Sequence, residues 1–512
     1  MALMKRIIYV VLFVLPFVAS AQNMYNMTGL FDNAPAGTAR FVSMGGSMGA
    51  LGGDLSVMGT NPAGTAIYRS SDFNLTGVID VVGNNAVMKG KSTTANYTGA
   101  GLGNTGFLLA FDIDASPVKF VNMGVNFRRK AGWCNNFEVN GISDGFSQQY
   151  VIKDLYYNND DPFDTGKIVS DMYSDFAYSW LTLLAADAGI FDKDGNFLIN
   201  PQNGTLIYNP EKYGYYSEER GELGVFDINL SANIDDRVYI GATLGYYKLD
   251  YSRYSYYYES DNIGMIYSLD NDYKIVGSGF DFKLGAIFRP FKYSPFKIAA
   301  FVHTPVFYSL MDRSSASMFG PDNSGYATNS EYCYGDDLYT TYSLRTPWRF
   351  GVATSYTFGK FLALNAEYEY VDASTMAYTD GTDIDKAQND EIVYNLKPQH
   401  TLRFGAELSL KNLALRVGYN YISSAFHMDA CKFFDNATKS ETSTEYMNRF
   451  GKNVFTLGVG YTVKKLYFDV AYMYQRQNSE FYPYHENEMK NHEGASVKTE
   501  GSSLYVGIGI RF

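Results

Sequence analysis

The chain has 512 residues and a formal net charge of −12, and this acidity argues against nucleic acid as a partner. It holds 45 Tyr, 36 Phe and 48 Gly against 14 Pro, and its mean hydropathy is negative although 46% of its residues are apolar. That composition fits aromatic-rich alternating strands. Cys134, Cys333 and Cys431 are an odd number and form no CxxC, so neither a disulfide framework nor a metal or cofactor site is expected.

The first 21 residues have the three parts of a secretory signal: basic Lys5 and Arg6, the apolar run Ile7 to Val18, and the small residues Ala19-Ser20-Ala21. Cleavage before Gln22 takes the charge from −12 to −14. The apolar run is shorter than the roughly 20 residues that a helix needs to cross a bilayer.

Residues 22–70 do not alternate and are dense in glycine from Gly37 to Gly53, with Asn61-Pro62-Ala63-Gly64 close behind. A phosphate loop is excluded, because no GK[ST] ending and no preceding strand are present. A compact Gly-rich segment before the first strand reads as a plug, glycine letting backbones approach closely. Asn-Pro is also a turn signal wherever it occurs.

Candidate strands follow near 71–82, 104–114, 118–129, 222–234, 237–257, 273–289 and 296–308. Residues 130–221 are too long for a plain loop. Their stretch Ile168 to Ala188 is apolar at mixed spacing and reads as an ordered surface insertion or as helices capping the outer mouth, the first being favoured. Tyr254 to Tyr258 reads as an extension of strand five in preference to an apolar entry groove.

From residue 340 onward seven more segments alternate strictly. Leu402, Phe404, Ala406, Leu408 and Leu410 share one face, with Arg403 and Glu407 on the other. A charge on a lipid face near the midplane costs roughly 2–4 kcal/mol, so the charged face must be the lumen. The same rule turns Arg349, Glu367, Glu369, Arg416 and Asp469 inward. These arginines could receive the carboxylate of a ligand or pair with the acids across the lumen, and pairing is the favoured reading. Tight turns at Gly359-Lys360, Lys411-Asn412 and Val463 to Lys465 alternate with long polar stretches, as periplasmic turns and external loops do.

Fourteen strands in all predict an all-β transmembrane antiparallel barrel, occupying 71–512, with both ends on the periplasmic side. The last strand exposes Leu504, Val506, Ile508 and Ile510 and ends on Phe512, similar to the signal read by outer-membrane barrel-assembly machinery. His427, Met428 and Cys431 could suggest haem capture, but a solvated loop is the simpler reading. Nothing in the pattern marks an enzyme.

The signal peptide, the Gly-rich lead to Asn61-Pro62-Ala63, the fourteen strands and the terminal Phe512 together resemble the FadL-type family of outer-membrane transporters. The resemblance implies a hatch in the lumen of a Gram-negative outer-membrane barrel. It also implies passive passage of long-chain fatty acids or similar hydrophobic molecules, and sideways release into the lipid through a kink in the third strand. Here that strand is near Val118 to Arg128, with Gly124 as its weak point. A barrel that docks partners for secretion or surface assembly, and a haem or porphyrin receptor, are the alternatives.

Overall fold

A computed structural model describes residues 24–31, 33–115, 117–143, 147–157, 178–190, 210–262, 264–320, 330–333, 338–433, 441–484 and 494–512. Alternation in the sequence becomes a sheet of fourteen antiparallel strands. Strands 1 to 6 are Asp72–Met88, Lys91–Ala115, Val118–Ile142, Lys212–Ile234, Val238–Ser260 and Met265–Phe288. Strands 7 to 9 are each interrupted: Lys297–His303 with Phe307–Gly320, then Ser330–Cys333 with Leu338–Arg345 and Arg349–Phe358, then Leu362–Asp372 with Ala377–Tyr378. Strands 10 to 14 are Pro398–Leu410, Leu413–Ile422, Tyr446–Val463, Leu466–Tyr482 and Ala495–Arg511.

Strand 14 returns to strand 1, from Asp72 opposite Arg511 to Val87 opposite Ser496, and this pairing closes the barrel. Closure satisfies the backbone of every strand within the sheet and leaves no edge for lipid to meet. The outward rows carry exposed apolar side chains, among them Phe404, Val417, Leu457, Val470 and Val506. Their inward neighbours Arg403, Arg416, Thr456, Asp469 and Tyr505 are buried. An apolar belt around a polar interior is the surface that a bilayer requires of a multi-pass barrel. At the turn end, Lys411 and Lys464 adopt positive φ, as do Asp235 and Asp236 between strands 4 and 5, so these reversals are tight.

Several strands run further than their apolar rows. Strands 1 and 2 continue to a hairpin at Lys89-Gly90, through residues 83–103 whose Asn, Thr, Ser and Gly content carries no apolar row. Strand 3 extends to Ile142 and strand 4 begins at Lys212, so the insertion between them is 143–211. Within it lie helices Gln148–Tyr157 and Trp180–Asp187. The second is buried on all sides and joins one apolar cluster with Phe137, Met318 and Phe481 of the wall, which places it in the mouth of the barrel. The part of Ile168 to Ala188 before Tyr178 lies outside the described residues. Tyr254 to Tyr258 belong to strand 5, and Tyr257 points inward.

A further helix, Asp383–Asn395, stands where sequence suggested a polar loop; Ile392 and the following Leu396 are buried, while Val393 and Tyr394 are exposed. A capping box between Thr382 and Asp385 starts it.

Strand 3 does not break at Gly124. It pairs through that level with Leu108 on one side and Asn229 on the other, and its bulges lie near its start and after Arg129. A side chain at Gly124 would overlap Met58 of the N-terminal segment, which accounts for the glycine without a kink. Strands 7, 8 and 9 are instead interrupted at a shared level, at 304–306, 346–348 and 373–376.

The outward rows predict a measurable asymmetry. Leu457→Arg, at an outward position 58% exposed, should destabilise the barrel in lipid vesicles by roughly 2–4 kcal/mol in denaturant titrations. A conservative Thr456→Ser on the lumen face of the same strand should leave the transition in place.

Candidate functional site

Residues 33–70 fold inside the barrel as three short helical turns separated by glycine. Thr38 caps Ala39–Ser43 by accepting from the Phe41 amide at 3.1 Å. Asp54 caps Leu55–Gly59 by accepting from Ser56 at 2.9 Å. Asn61 caps Pro62–Ile67: its Oδ1 accepts from the Ala63 amide at 3.2 Å, while its Nδ2 donates to the Gly49 carbonyl at 2.6 Å. Pro62 at the first helical position loses no bond by lacking an N–H. Asn61, Pro62, Ala63 and Gly64 are all buried, and Gly64 closes the segment on itself by accepting from the Gly53 amide at 3.0 Å.

The local turn thus has a tertiary role as well. Strand 5 and strand 6 present Gly241 and Gly285 to this turn, and a side chain at either position would overlap Pro62 or Asn61. On the next strand Thr65 Oγ1 donates to Asn229 Oδ1 at 2.6 Å and Asn122 Nδ2 donates to the Thr65 carbonyl at 2.7 Å.

The inward charges predicted from sequence meet at this level. Arg403 lies 2.8 Å from Glu367 and 3.0 Å from Glu369, and Glu369 also pairs with Arg349 at 3.3 Å. Arg416 bridges Glu407 and Asp469, each at 2.6 Å. The favoured pairing is therefore what the lumen contains, and the three arginines are occupied by protein carboxylates. These pairs also grip the N-terminal segment. Glu367 accepts from the Gly49 amide at 3.0 Å, Arg403 donates to the Asn33 carbonyl at 3.2 Å, and Arg349 donates to the Asn33 side chain. Arg40 of the segment completes the set, 3.1 Å from Glu407 and donating to the Gly53 carbonyl at 2.6 Å. Burial disfavours the Arg40 charge, but Glu407 and Asp54 outweigh it and hold the guanidinium above its ordinary pKa.

A second network was not singled out from sequence. Asp227 pairs with Arg128 at 3.0 Å and with Lys283 at 2.9 Å, and Lys283 also meets Asp281 at 2.7 Å. Arg128 donates to the Gly59 carbonyl and His303 Nε2 lies 2.6 Å from the Thr60 carbonyl. The signal was available: Asp227 alternates with Phe226 and Ile228 just as Arg403 alternates with Leu402 and Phe404. The two networks make one charged floor.

Above the floor the lumen turns apolar. Met24, Met27 and Leu30 are buried in one cluster with Tyr247, Tyr308, Tyr342 and Phe426, and helix Asp383–Asn395 adds Ile392 from the mouth. Tyr25 stacks on Phe426 with ring centroids 5.3 Å apart. Beside Gly29 a cavity of about 210 Å³ remains, with Trp133, Phe137, Tyr215 and Phe481 on its apolar side and Glu219 and Arg449 on its polar side.

Of the remaining sequence candidates, Cys431 borders this interior beside Ala430. Met428 is exposed and Cys431 is buried, where burial pushes its thiol up to about 11, with Glu391 and Asp429 adding to the effect. Among the described residues no three His, Cys, Asp or Glu side chains converge as metal ligands do. Phe512 exchanges two backbone hydrogen bonds with Ser71, each 3.1 Å, and Ile508 and Ile510 face outward beside it.

No family model and no curated protein sequence matches the chain. Among solved structures, a Pseudomonas aeruginosa FadL homologue is similar over 93% of this chain and 99% of its own, with 13% identity and a TM-score of 0.53. The Pseudomonas putida toluene transporter TodX is similar over 94% of this chain and 99% of its own, with 11% identity and a TM-score of 0.50. The chain shares the fold of the FadL-type barrels along nearly its whole length.

Two outcomes follow from this geometry. Arg403→Leu removes the cation paired with buried Glu367 and leaves Glu369 with Arg349 alone, and should destabilise the barrel by roughly 3–5 kcal/mol in denaturant titrations, as loss of one partner of a buried pair does. Gly241→Val should push Pro62 and Ala63 off the wall. Single-channel conductance in a planar bilayer is expected to rise, with strand content by circular dichroism unchanged.

Proposed function

We propose that this protein is a passive channel of the Gram-negative outer membrane that binds hydrophobic small molecules and carries them out of the aqueous exterior into the lipid. Its cargo class is long-chain fatty acids or similar apolar compounds, such as the monoaromatic hydrocarbon carried by TodX. Residues 1–21 direct secretion, residues 22–70 act as the hatch, and Asn61, Pro62, Ala63 and Gly64 fix its shape. The barrel ends face the periplasm, and Ile508, Ile510 and Phe512 serve as the assembly signal.

One observation carries this reading: an aromatic and aliphatic interior stands above a floor of buried ion pairs that the N-terminal segment completes. An apolar molecule gains roughly 0.8 kcal/mol per CH₂ buried in that interior and would lose that gain among the charges below. Water-filled pores need neither feature. The gradient favours sideways release into the membrane over passage through the floor, and needs no energy source beyond consumption of the product inside the cell. Because Arg349, Arg403 and Arg416 are paired, a cargo carboxylate is not required by the floor.

Uptake of labelled oleate and labelled toluene by cells lacking their own transporters tests the proposal and sorts the cargo. Expression of this chain should raise uptake of at least one probe, and Asn61→Ala with Pro62→Ala should change the rate while the barrel remains inserted. A correctly inserted barrel that admits neither probe would sink the reading.

A further inference from the structure

Among the described residues, strands 7, 8 and 9 are interrupted at a shared level of the wall, and apolar side chains lie on both faces there. Strand 7 stops at His303 and resumes at Phe307, with Thr304-Pro305-Val306 between. Strand 8 stops at Arg345 and resumes at Arg349, with Thr346-Pro347-Trp348 between. These two gaps lie opposite each other, since His303 faces Arg349 and Phe307 faces Arg345. Strand 9 is broken beside them by the turn Ala373–Thr375. Proline has no N–H to give, and it is tolerated in a sheet chiefly at edges and bulges. Here two prolines stand in adjacent central strands. Across the gap, strands 7 and 8 are joined by Thr346 N donating to the Val306 carbonyl at 3.1 Å and by Val306 N donating to Thr346 Oγ1 at 2.9 Å, in place of a ladder.

On the inner side, Val306, Leu344, Ala373 and Met376 belong to the same apolar cluster as Met24, Met27 and Leu30. The residues of the breaks therefore pack into the apolar cluster that borders the cavity beside Gly29 through Tyr25, Ala131 and Trp133. His303, Arg349 and Glu369 lie just beneath and mark where the charged floor begins.

On the outer side a groove of about 970 Å³ starts immediately below the breaks, where Val302, Phe350 and Tyr370 form its upper row with Ala242 and Leu284. Its lower row is Ala232, Ile240, Ala286, Ala300, Val352 and Tyr368, paired in register across strands 4 to 9. Between these outward rows runs an inward one in the same register: Ser231, Gly241, Gly285, Phe301, Gly351 and Glu369. With three glycines in that row, the wall at Gly241 and Gly285 is one backbone thick, with Asn61 and Pro62 against its inner face and the groove against its outer face.

We propose that apolar cargo crosses the wall through the break in strands 7 to 9 and is received by this groove. The inference rests on the transport reading and names its route. A molecule in the cavity beside Gly29 reaches the groove by displacing apolar side chains of this cluster, without meeting the floor and without the rupture of a continuous ladder. Parting strands 7 and 8 at this level costs the two hydrogen bonds named above, whereas strand 3 is laddered to both neighbours at Gly124.

A disulfide tether decides the matter. Val306→Cys with Thr346→Cys joins strands 7 and 8 at the break, in a chain whose Cys134, Cys333 and Cys431 are alanine and whose own uptake of oleate or toluene is the reference. Val125→Cys with Ile228→Cys, directly opposed on strands 3 and 4 and outside the groove, is the comparison. Oxidised V306C/T346C should lose uptake of the transported probe and regain it on reduction, and the strand 3–4 tether should transport like the reference. Recovery on reduction shows that the tethered chain is folded. Uptake that persists through the first tether, or is blocked by the second alone, overturns this route while leaving the transport reading intact. In the first case the groove holds only membrane acyl chains. A reference chain that transports neither probe removes both the reading and the route.

Discussion

A backbone in hydrocarbon has no water to bond, and that constraint organises the rest of the molecule. It forces the sheet to close, and closure fixes which side chain of each strand faces lipid and which faces the lumen. The inward row of a closed barrel is then free to be charged, provided each charge finds an opposite one, because the cost of leaving a buried ion unpaired is several kcal/mol. Arg403 between Glu367 and Glu369, Arg416 between Glu407 and Asp469, and Asp227 between Arg128 and Lys283 meet that condition.

The wall's cations have a second task. Lys130 donates to the Leu30 carbonyl, Arg403 to Asn33, Lys297 to Leu51 and Arg128 to Gly59. An irregular, glycine-rich segment has many main-chain carbonyls that no helix or ladder satisfies, and the lumen supplies donors for them. The segment returns one charge, Arg40, to the floor. Barrel and segment thus complete each other electrostatically, so dislodging the segment exposes charges as well as opening space.

Glycine in the inward row and proline in the breaks act on the same part of the wall for different reasons. Gly241 and Gly285 let the Asn61–Gly64 turn press against strands 5 and 6, leaving an apolar groove outside. Pro305 and Pro347 remove ladder donors just above it, and Thr346 answers with its hydroxyl where a backbone carbonyl would otherwise accept. Side chains from the breaks complete the apolar cluster above the floor. The charged floor, that cluster and the groove therefore adjoin within a few residues of one another along strands 7 to 9.

Period-two alternation is a local property, and it was enough to place Arg403, Glu407, Arg416 and Asp469 inside and to give fourteen strands, because a side chain's face follows from its parity alone. The same parity placed no partner: that Arg403 chooses Glu367 and Glu369 depends on which strands adjoin and in what register. Residues 83–103 and 130–142 were illegible as strand because, beyond the apolar belt, both faces of a strand can be polar and the pattern disappears. Helix Asp383–Asn395 was hidden likewise, because its apolar residues do not fall on one face: Ile392 is buried while the adjacent Val393 and Tyr394 are exposed. Gly124 suggested a weak wall on composition, yet its missing side chain makes room for Met58. The break that does exist needed three strands brought to one level, and Pro305, Pro347 and Ala373, up to 68 residues apart in the chain, meet only once the barrel has closed.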